Sequence, residues 1–327
     1  MKTAIVLLNW NGQALLERFL PDLLLHAQSL ASVYVVDNAS NDGSVDFIKT
    51  NFPEIHLIQH QSNLGYADGY NRAVGQIDAD LLCLINNDVL TTAGWLEPMI
   101  AAFKSKPLLA MAQPKILNLN RPTHFEYAGA AGGFLDRFGY PFCRGRIFDH
   151  VEEDRNQYAT AEIFWASGAC LFVRKNVFES LKGFDGSFFA HMEEIDLCWR
   201  AKLLGHQVWA IMESQVFHLG GGTLTYNSPR KTRLNFRNSL FMLIKNTQKH
   251  LFPALLVRMI LDGLAAWRFM FQGKPKHFAA IFMAHIDLYR KGKYYRGHQS
   301  KALRMIALNP SIVWKYYLLG RKTYDEL

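Results

Sequence analysis

Apolar residues come in short, nearly continuous runs through the first hundred positions: AIVLLN (4–9), VYVVDN (33–38), IHLIQ (55–59) and DLLCLIN (80–86). Stretches with helical spacing separate them, near 13–28, 43–50 and 65–76. Such unalternating β-rich runs are strands buried on both faces, so the pattern predicts a parallel sheet covered by helices, the doubly wound α/β class. Ligands of such sheets bind beyond the carboxyl ends of the strands. Those ends carry Asn9 and Asn11, Asp37 and Asn38, then Asn86, Asn87 and Asp88. Any one of these residues serves equally well as a turn former or helix cap. Three such groups at three strand ends predict one crevice.

After residue 106 the pattern becomes mixed. AMAQPKIL (110–117), AEIFWASGACLFVR (161–174) and QVWAIMES (207–214) read as strands. EYAGAAGGFLDRFGYPFCRG (126–145) reads as turns or a mobile loop because of its glycines. KNVFESLKGFD predicts a helix ending at Gly183, and FFAHMEEIDLCWRAKLLG predicts a helix over 188–205 that stops at Gly205.

Charge divides the chain. Residues 1–220 hold 17 Lys and Arg against 24 Asp and Glu, whereas residues 221–327 hold 19 against 4. An acidic body therefore carries a strongly basic tail, and such a tail meets an anionic partner. No recognised DNA or RNA motif occurs there, and the basic residues are interleaved with long apolar runs, which favours a phospholipid surface over nucleic acid. The run 251–271 is broken by Arg258, Asp262 and Arg268, so it is too charged for a span. On a helical wheel these three fall within about 120°, leaving a broad apolar face. That face suits a helix lying in a membrane interface, one packed on a partner, or an ordinary helix docked on the body.

The four cysteines (Cys83, Cys143, Cys170, Cys198) show no metal-like spacing and read as buried thiols of a reducing cytoplasm. The opening MKTAIVLLNWNG breaks at Asn9 without a cleavage site, so it reads as a first strand and predicts a cytosolic protein.

NWNG (9–12), VVDNASNDGS (35–44), NLGYADGYNRA (63–73), LINND (84–88), WASGACLFVRK (165–175), EEIDLCWRAKLLG (193–205) and the isolated His218 occur in that order. Together they resemble family 2 glycosyltransferases of the GT-A fold, most like the branch containing bacterial rhamnosyltransferases. The resemblance covers roughly residues 3–245. It implies a GT-A catalytic domain over 1–225, with a nucleotide-binding half (1–106) and an acceptor half (107–225). A basic helical C-terminal region, 226–327, follows.

The resemblance also implies roles. Asp37 would bind the nucleobase, and a carboxylate accepts from a uracil or thymine N–H, which favours a UDP- or dTDP-sugar. Asn9, Asn63 and Asp68 would line the same pocket. LINND stands at the family's DxD position, with Asp88 as metal ligand and Asn86 replacing the first aspartate. An amide there can hydrogen-bond the ribose but removes a charge, so the empty site would hold metal weakly. His218 would complete the site, and an imidazole tilts it toward Mn²⁺ over Mg²⁺. Glu194 matches the base of an inverting transfer and Glu193 its neighbour; Asp is commoner at the base position. Both acids, with Asp196, equally suit the first turn of a helix, and Asp196 with Arg200 suits an i,i+4 pair. Trp165 and Gly168 would shape the acceptor side.

The expected enzyme is an inverting, metal-dependent glycosyltransferase of cell-surface glycan synthesis. It would act on a lipid-linked or polysaccharide acceptor at the inner face of the cytoplasmic membrane, bound there through 226–327. Two alternatives stay open. A nucleotidyltransferase acting on sugar phosphates shares the sheet, although no glycine-rich loop followed by lysine succeeds the first strand. A non-catalytic sugar-nucleotide-binding subunit would keep the fold without a working base.

Overall fold

A computed structural model describes residues 1–220, 228–247, 251–297 and 310–327. Within the basic region 226–327, residues 226–227, 248–250 and 298–309 lie outside the described residues.

The nucleotide-binding half alternates strand and helix. In chain order it runs β1 (Thr3–Asn9), α1 (Gln13–Ala27), β2 (Ser32–Asp37), α2 (Ser44–Asn51), β3 (His56–Gln59), α3 (Gly65–Val74), β4 (Leu81–Asn86), β5 (Val89–Thr91) and α4 (Leu96–Ser105). Ile5 and Leu7 of β1 pack with Leu16 and Leu20 of α1 and Met99 of α4, while Ala4 and Val6 join Ala67 and Tyr70 of α3 on the other face. Covering on both faces explains the absence of alternation in the sequence. β1 lies parallel to both β2 and β4, with Asn9 opposite Asp37 and Leu8 opposite Asn86. The polar strand ends therefore stand side by side.

The second half supplies β6 (Leu109–Asn118), β7 (Arg121–Phe125), β8 (Gly133–Leu135), β9 (Pro141–Cys143), β10 (Arg146–Ile147), β11 (His150–Val151), β12 (Ala161–Ile163), β13 (Cys170–Arg174), α5 (Lys175–Ser180), α6 (Glu193–Leu203) and β14 (Gln207–His218). Among the described residues the main sheet runs β12-β14-β6-β13-β4-β1-β2-β3, with β5 against β14 and β7 against β6. β13 is antiparallel to both β4 and β6, which makes the sheet mixed.

Two local expectations change. The glycine-rich stretch supplies β8 and β9, two strands of a four-stranded sheet completed by β10 and β11, instead of a loose loop, and Ala130 and Ala131 of the stretch are fully buried. The acid-bearing helix starts at Glu193, not near 188, because Phe189, His191 and Met192 have positive φ and turn the chain before it.

Helices close the chain: α7 (Pro229–Asn246), α8 (Leu251–Phe271), α9 (Pro275–Gly297) and α10 (Ile312–Tyr317). α7 is capped by the Ser228 hydroxyl, which accepts from the Lys231 N–H, and it packs on α6 and α9. α8 docks with Arg258 and Asp262 inward, whereas Arg268 of the same charged stripe stays exposed. Arg258 and Asp262 are buried as an i,i+4 pair at 2.8 Å, and the guanidinium also donates to Ser239 Oγ at 2.6 Å and Phe138 O at 2.9 Å. Tyr140 Oη donates to Asp262 Oδ1 at 2.6 Å. The apolar face points outward, leaving Phe252 77% and Phe271 84% exposed, with Leu256, Ile260, Leu264 and Trp267 between them. Among the described residues no helix is long and apolar enough to cross a membrane.

Candidate active site

At the ends of β1 and β2, Asn9 Nδ2 lies 3.5 Å from Asp37 Oδ1 and 3.4 Å from Ser40 Oγ. The Ser40 N–H donates to Asp37 Oδ2 at 2.9 Å, so the turn after β2 fixes the carboxylate. Asn87 Nδ2 donates to Asn9 Oδ1 at 2.9 Å and is buried, which accounts for one of the two amides before Asp88. It braces the end of β1 from the end of β4. Asn63 joins through Asn38, whose amide donates to Asn63 Oδ1 and to Gly65 O, both at 3.0 Å. Asp68 sits elsewhere. Its exposed carboxylate fills the space where a Cβ on Gly186 would stand, at 2.1 Å, so it faces the loop that leads to α6.

Asp88 and His218 meet because β5 and β14 pair, with Val89 opposite His218. His218 Nε2 lies 3.1 Å from Asp88 Oδ1, and its Nδ1 lies 3.4 Å from Glu126 Oε1. All three side chains are buried. Burial disfavours charge on the imidazole, but hydrogen bonds and charge from Asp88 and Glu126 outweigh it and raise the pKa to about 10. Glu126 is a partner the sequence reading missed; its signal was a lone acid before a run of alanines and glycines.

The acids of α6 differ from one another. Asp196 is fully buried but compensated: Arg200 Nε at 2.7 Å, Lys245 Nζ at 2.9 Å and Asn246 Nδ2 at 2.8 Å. Burial would raise its pKa, yet the charges of Arg200 and Lys245 and these hydrogen bonds hold it below the usual range. Glu193 and Glu194 each keep a buried Oε2 with no hydrogen-bond partner among the described residues. Burial pushes Glu194 up to about 7, and burial together with the charge of Glu194 pushes Glu193 up further. A plain helix-dipole role would leave both acids wet, so their burial needs another explanation.

Gly168 connects the parts. The Asn86 N–H donates to Ala169 O at 3.0 Å, and Tyr66 Oη donates to Gly168 O at 2.7 Å. A Cβ on Gly168 would stand 2.9 Å from that hydroxyl and 3.7 Å from Glu194 Cβ. Trp165 does not offer an open wall. It is 4% exposed, its ring fills the place of a Cβ on Gly133, and Nε1 donates to Phe134 O at 2.9 Å.

Residues 4–181 match the family model described as Glycosyl transferase family 2. The chain belongs to that family. It is 27% identical over 232 residues to an N-acetylglucosaminyl-diphospho-decaprenol L-rhamnosyltransferase of Mycobacterium tuberculosis (strain CDC 1551 / Oshkosh), covering 65% of this chain and 75% of the relative. It is 22% identical over 292 residues to the low-salt glycan biosynthesis hexosyltransferase Agl10 of Haloferax volcanii, covering 86% and 89%. Among solved structures, GalNAc-T7 with UDP, GalNAc and Mn²⁺ superposes with a TM-score of 0.60 at 14% identity, covering 98% of this chain and 56% of that one. S. aureus TarS 1–349 with UDP-GlcNAc gives 0.55 at 13% identity, covering 94% and 95%. The fold of this family 2 glycosyltransferase is thus GT-A, as its motif order implied.

The donor set at Asp88 and His218 fits a divalent ion. One carboxylate oxygen and one imidazole nitrogen stand 3.1 Å apart, close to the edge of an octahedron with bonds of about 2.1 Å. Among the described residues no cluster of three or more His, Cys, Asp or Glu could enclose a metal. A metal held by this pair would take its remaining oxygens from a ligand or water. Glu126 on Nδ1 orients the ring, as a carboxylate commonly does for a metal-bound histidine.

Proposed function

We propose that this glycosyltransferase moves a sugar with inversion from a UDP- or dTDP-sugar to a lipid-linked glycan of the cell surface. The observation that carries the reading is Gly168, which stands between the end of β4 and Glu194. Asp37, held by Ser40 and Asn9, accepts from the imide N–H of uracil or thymine. Asn9, Asn63 and Asn86 line the ribose side, and Asp68 shapes the pocket through the 186–188 turn. Glu194, or Glu193 beside it, takes the proton of the acceptor hydroxyl. The hydroxyl oxygen bonds to the anomeric carbon as the bond to the diphosphate breaks, and inversion follows from attack opposite the leaving group. Asp88 and His218 would hold Mn²⁺ or Mg²⁺, which neutralises charge on the leaving diphosphate. Gly168 leaves room at the acceptor side, and Trp165 supports that side from within.

The relative named for rhamnosyl transfer to N-acetylglucosaminyl-diphospho-decaprenol favours L-rhamnose and a lipid diphosphate acceptor. The outward face of α8 and the basic 226–327 region suit an enzyme working peripherally at the inner, anionic face of the cytoplasmic membrane. The decisive experiment incubates the protein and Mn²⁺ with dTDP-L-rhamnose and a panel of UDP-sugars on a synthetic N-acetylglucosaminyl-diphospho-lipid, with the product anomer read by NMR. A product of retained configuration would overturn inversion. Nucleotide-sugar synthesis from a sugar phosphate and an NTP would make the protein a nucleotidyltransferase, and donor binding without turnover on any acceptor would make it a binding subunit.

A further inference from the structure

The loop that delivers Glu193 and Glu194 is bent three times against the preference of its residues. Phe189, His191 and Met192 all adopt left-handed φ, of 65°, 70° and 74°, and none is glycine. Such a path persists only where its surroundings impose it. The Tyr66 N–H holds Phe189 O at 3.0 Å, and the other imposing group comes from the basic third of the chain. Asn238, in the middle of α7 and fully buried, points its amide at three carbonyls of this loop. Its Nδ2 donates to Phe188 O at 3.0 Å, Ala190 O at 2.9 Å and His191 O at 2.8 Å. Two amide hydrogens shared among three carbonyls leave none to spare. The amide is itself oriented, because Arg237 Nε donates to Asn238 Oδ1 at 2.9 Å.

α7 also holds the helix beyond the loop. Lys245 bridges Asp185 at 2.8 Å and Asp196 at 2.9 Å, and Asn246 donates to Asp196. One helix thus grips the base-bearing segment both before and after Glu193 and Glu194.

We propose that Asn238 is a positioning residue for transfer: by collecting the carbonyls of Phe188, Ala190 and His191 it sets where the Glu193 and Glu194 carboxylates meet the acceptor. The catalytic unit then extends through α7. The inference rests on reading these two acids as the proton-accepting pair. Asn238 touches no reacting atom and acts only through the loop. Asp at this position has the same shape but offers no N–H and sets a negative charge against three carbonyls. A displacement of the base by about 1 Å is enough to lower turnover roughly 100-fold.

The test compares Asn238→Asp, the milder Asn238→Ser, and Ser239→Ala in the rhamnosyl transfer assay described above. Ser239 is the next residue of α7; it is buried, its hydroxyl accepts from Arg258 and donates to Phe236 O, and among the described residues its side chain has no hydrogen bond to the loop. Both Asn238 variants are expected to lose about 100-fold in kcat, to keep the donor KM within about twofold, and to shift the acid limb of the kcat–pH profile. Ser239→Ala is expected to lower Tm while keeping kcat and that limb. Wild-type kcat in either folded Asn238 variant, or equal loss of kcat in Ser239→Ala, would overturn the proposal.

Hydrogen exchange of the amides of 189–192 supplies a readout independent of turnover. It should accelerate selectively in Asn238→Ser, and unchanged exchange there would also overturn the proposal. If Glu193→Gln and Glu194→Gln both retain turnover, the base assignment falls separately. Exchange then decides alone whether Asn238 holds the loop.

Discussion

His218 Nε2 stands 3.1 Å from Asp88 Oδ1 across 130 residues of sequence, with Glu126 on the other ring nitrogen. The pairing of β5 with β14 makes this contact, and it gathers two acids around one imidazole. Against the effect of burial, Asp88 and Glu126 both favour the protonated imidazole and hold the His218 pKa above the usual range. A divalent ion has to displace that proton, so nucleotide binding in Mn²⁺ should strengthen as pH rises from 6 to 8. Asp88→Ala and His218→Ala should each abolish the Mn²⁺-dependent part of UDP or dTDP affinity in calorimetry. Equal affinity with and without EDTA in the wild type would remove metal from the site, and tight metal binding before nucleotide would contradict a shell completed by the nucleotide.

Glu126 extends the same argument. Glu126→Gln keeps the side-chain volume but takes away the charge behind Nδ1, so the ring becomes a poorer electron-pair donor and less firmly oriented, a loss that outweighs its weaker hold on the competing proton. The expected outcome is a roughly 10- to 100-fold weaker Mn²⁺ requirement constant with the fold intact. An unchanged Mn²⁺ titration would make Glu126 a packing residue only.

Glu194→Gln should reduce transfer by at least about 1000-fold while leaving nucleotide affinity within about twofold. The pH dependence follows from the same group. A base must be ionised, and burial lifts Glu194 to about 7, so wild-type kcat should climb with pH through that value and flatten above it. A profile already flat from pH 5 would place the base elsewhere, and retained turnover in the variant would point to Glu193.

Much of this was legible in the sequence, for physical reasons that also mark where reading failed. β1, β2 and β4 are buried on both faces, so their apolar runs and polar ends stand out, and position alone singled out Asn9, Asp37 and Asp88 as candidates, which the register sets side by side or nearby. The family's motif order supplied His218 and the α6 acids. Asp68 and Trp165 carry the right chemistry but face the 186 turn and the Gly133 backbone, and orientation of that kind leaves no trace in a motif. Asn87 was marked at the strand end but its bond to Asn9 was not foreseen, and Glu126 was missed, because each acts by bonding another site residue across contacts that only the sheet register creates. The start of α6 was misplaced because Phe189, His191 and Met192 are ordinary helix residues locally, and tertiary bonds from α7 override them.

Gly168→Ala tests the joint between strand end and base. The added methyl would come within 2.9 Å of Tyr66 Oη, whose bond to Gly168 O is 2.7 Å long. Either the tyrosine or the backbone must yield, at about 1–3 kcal/mol of stability. Turnover should fall more than Tm alone explains, because the same shift moves the surface beside Glu194. A variant with native kcat and native Tm would show that the space at Gly168 is not used.

α8 makes the last prediction because its two faces can be altered separately. Its outer residues touch little, so Ile260→Glu with Leu264→Glu should leave Tm within about 2 °C, surface changes being worth about 0.5 kcal/mol or less. The wild type should sediment with phosphatidylglycerol-rich vesicles at low salt, through the apolar face and the surrounding lysines and arginines, and should release as salt rises. The double variant should remain in the supernatant. Self-association through this face would set two strongly basic surfaces against each other, which favours a lipid surface over a second copy. Arg258→Met attacks the inner face instead: it strands Asp262 without its buried partner and should cost about 3–5 kcal/mol. Equal sedimentation of wild type and double variant, or none by the wild type, would return α8 to the role of a plain docked helix.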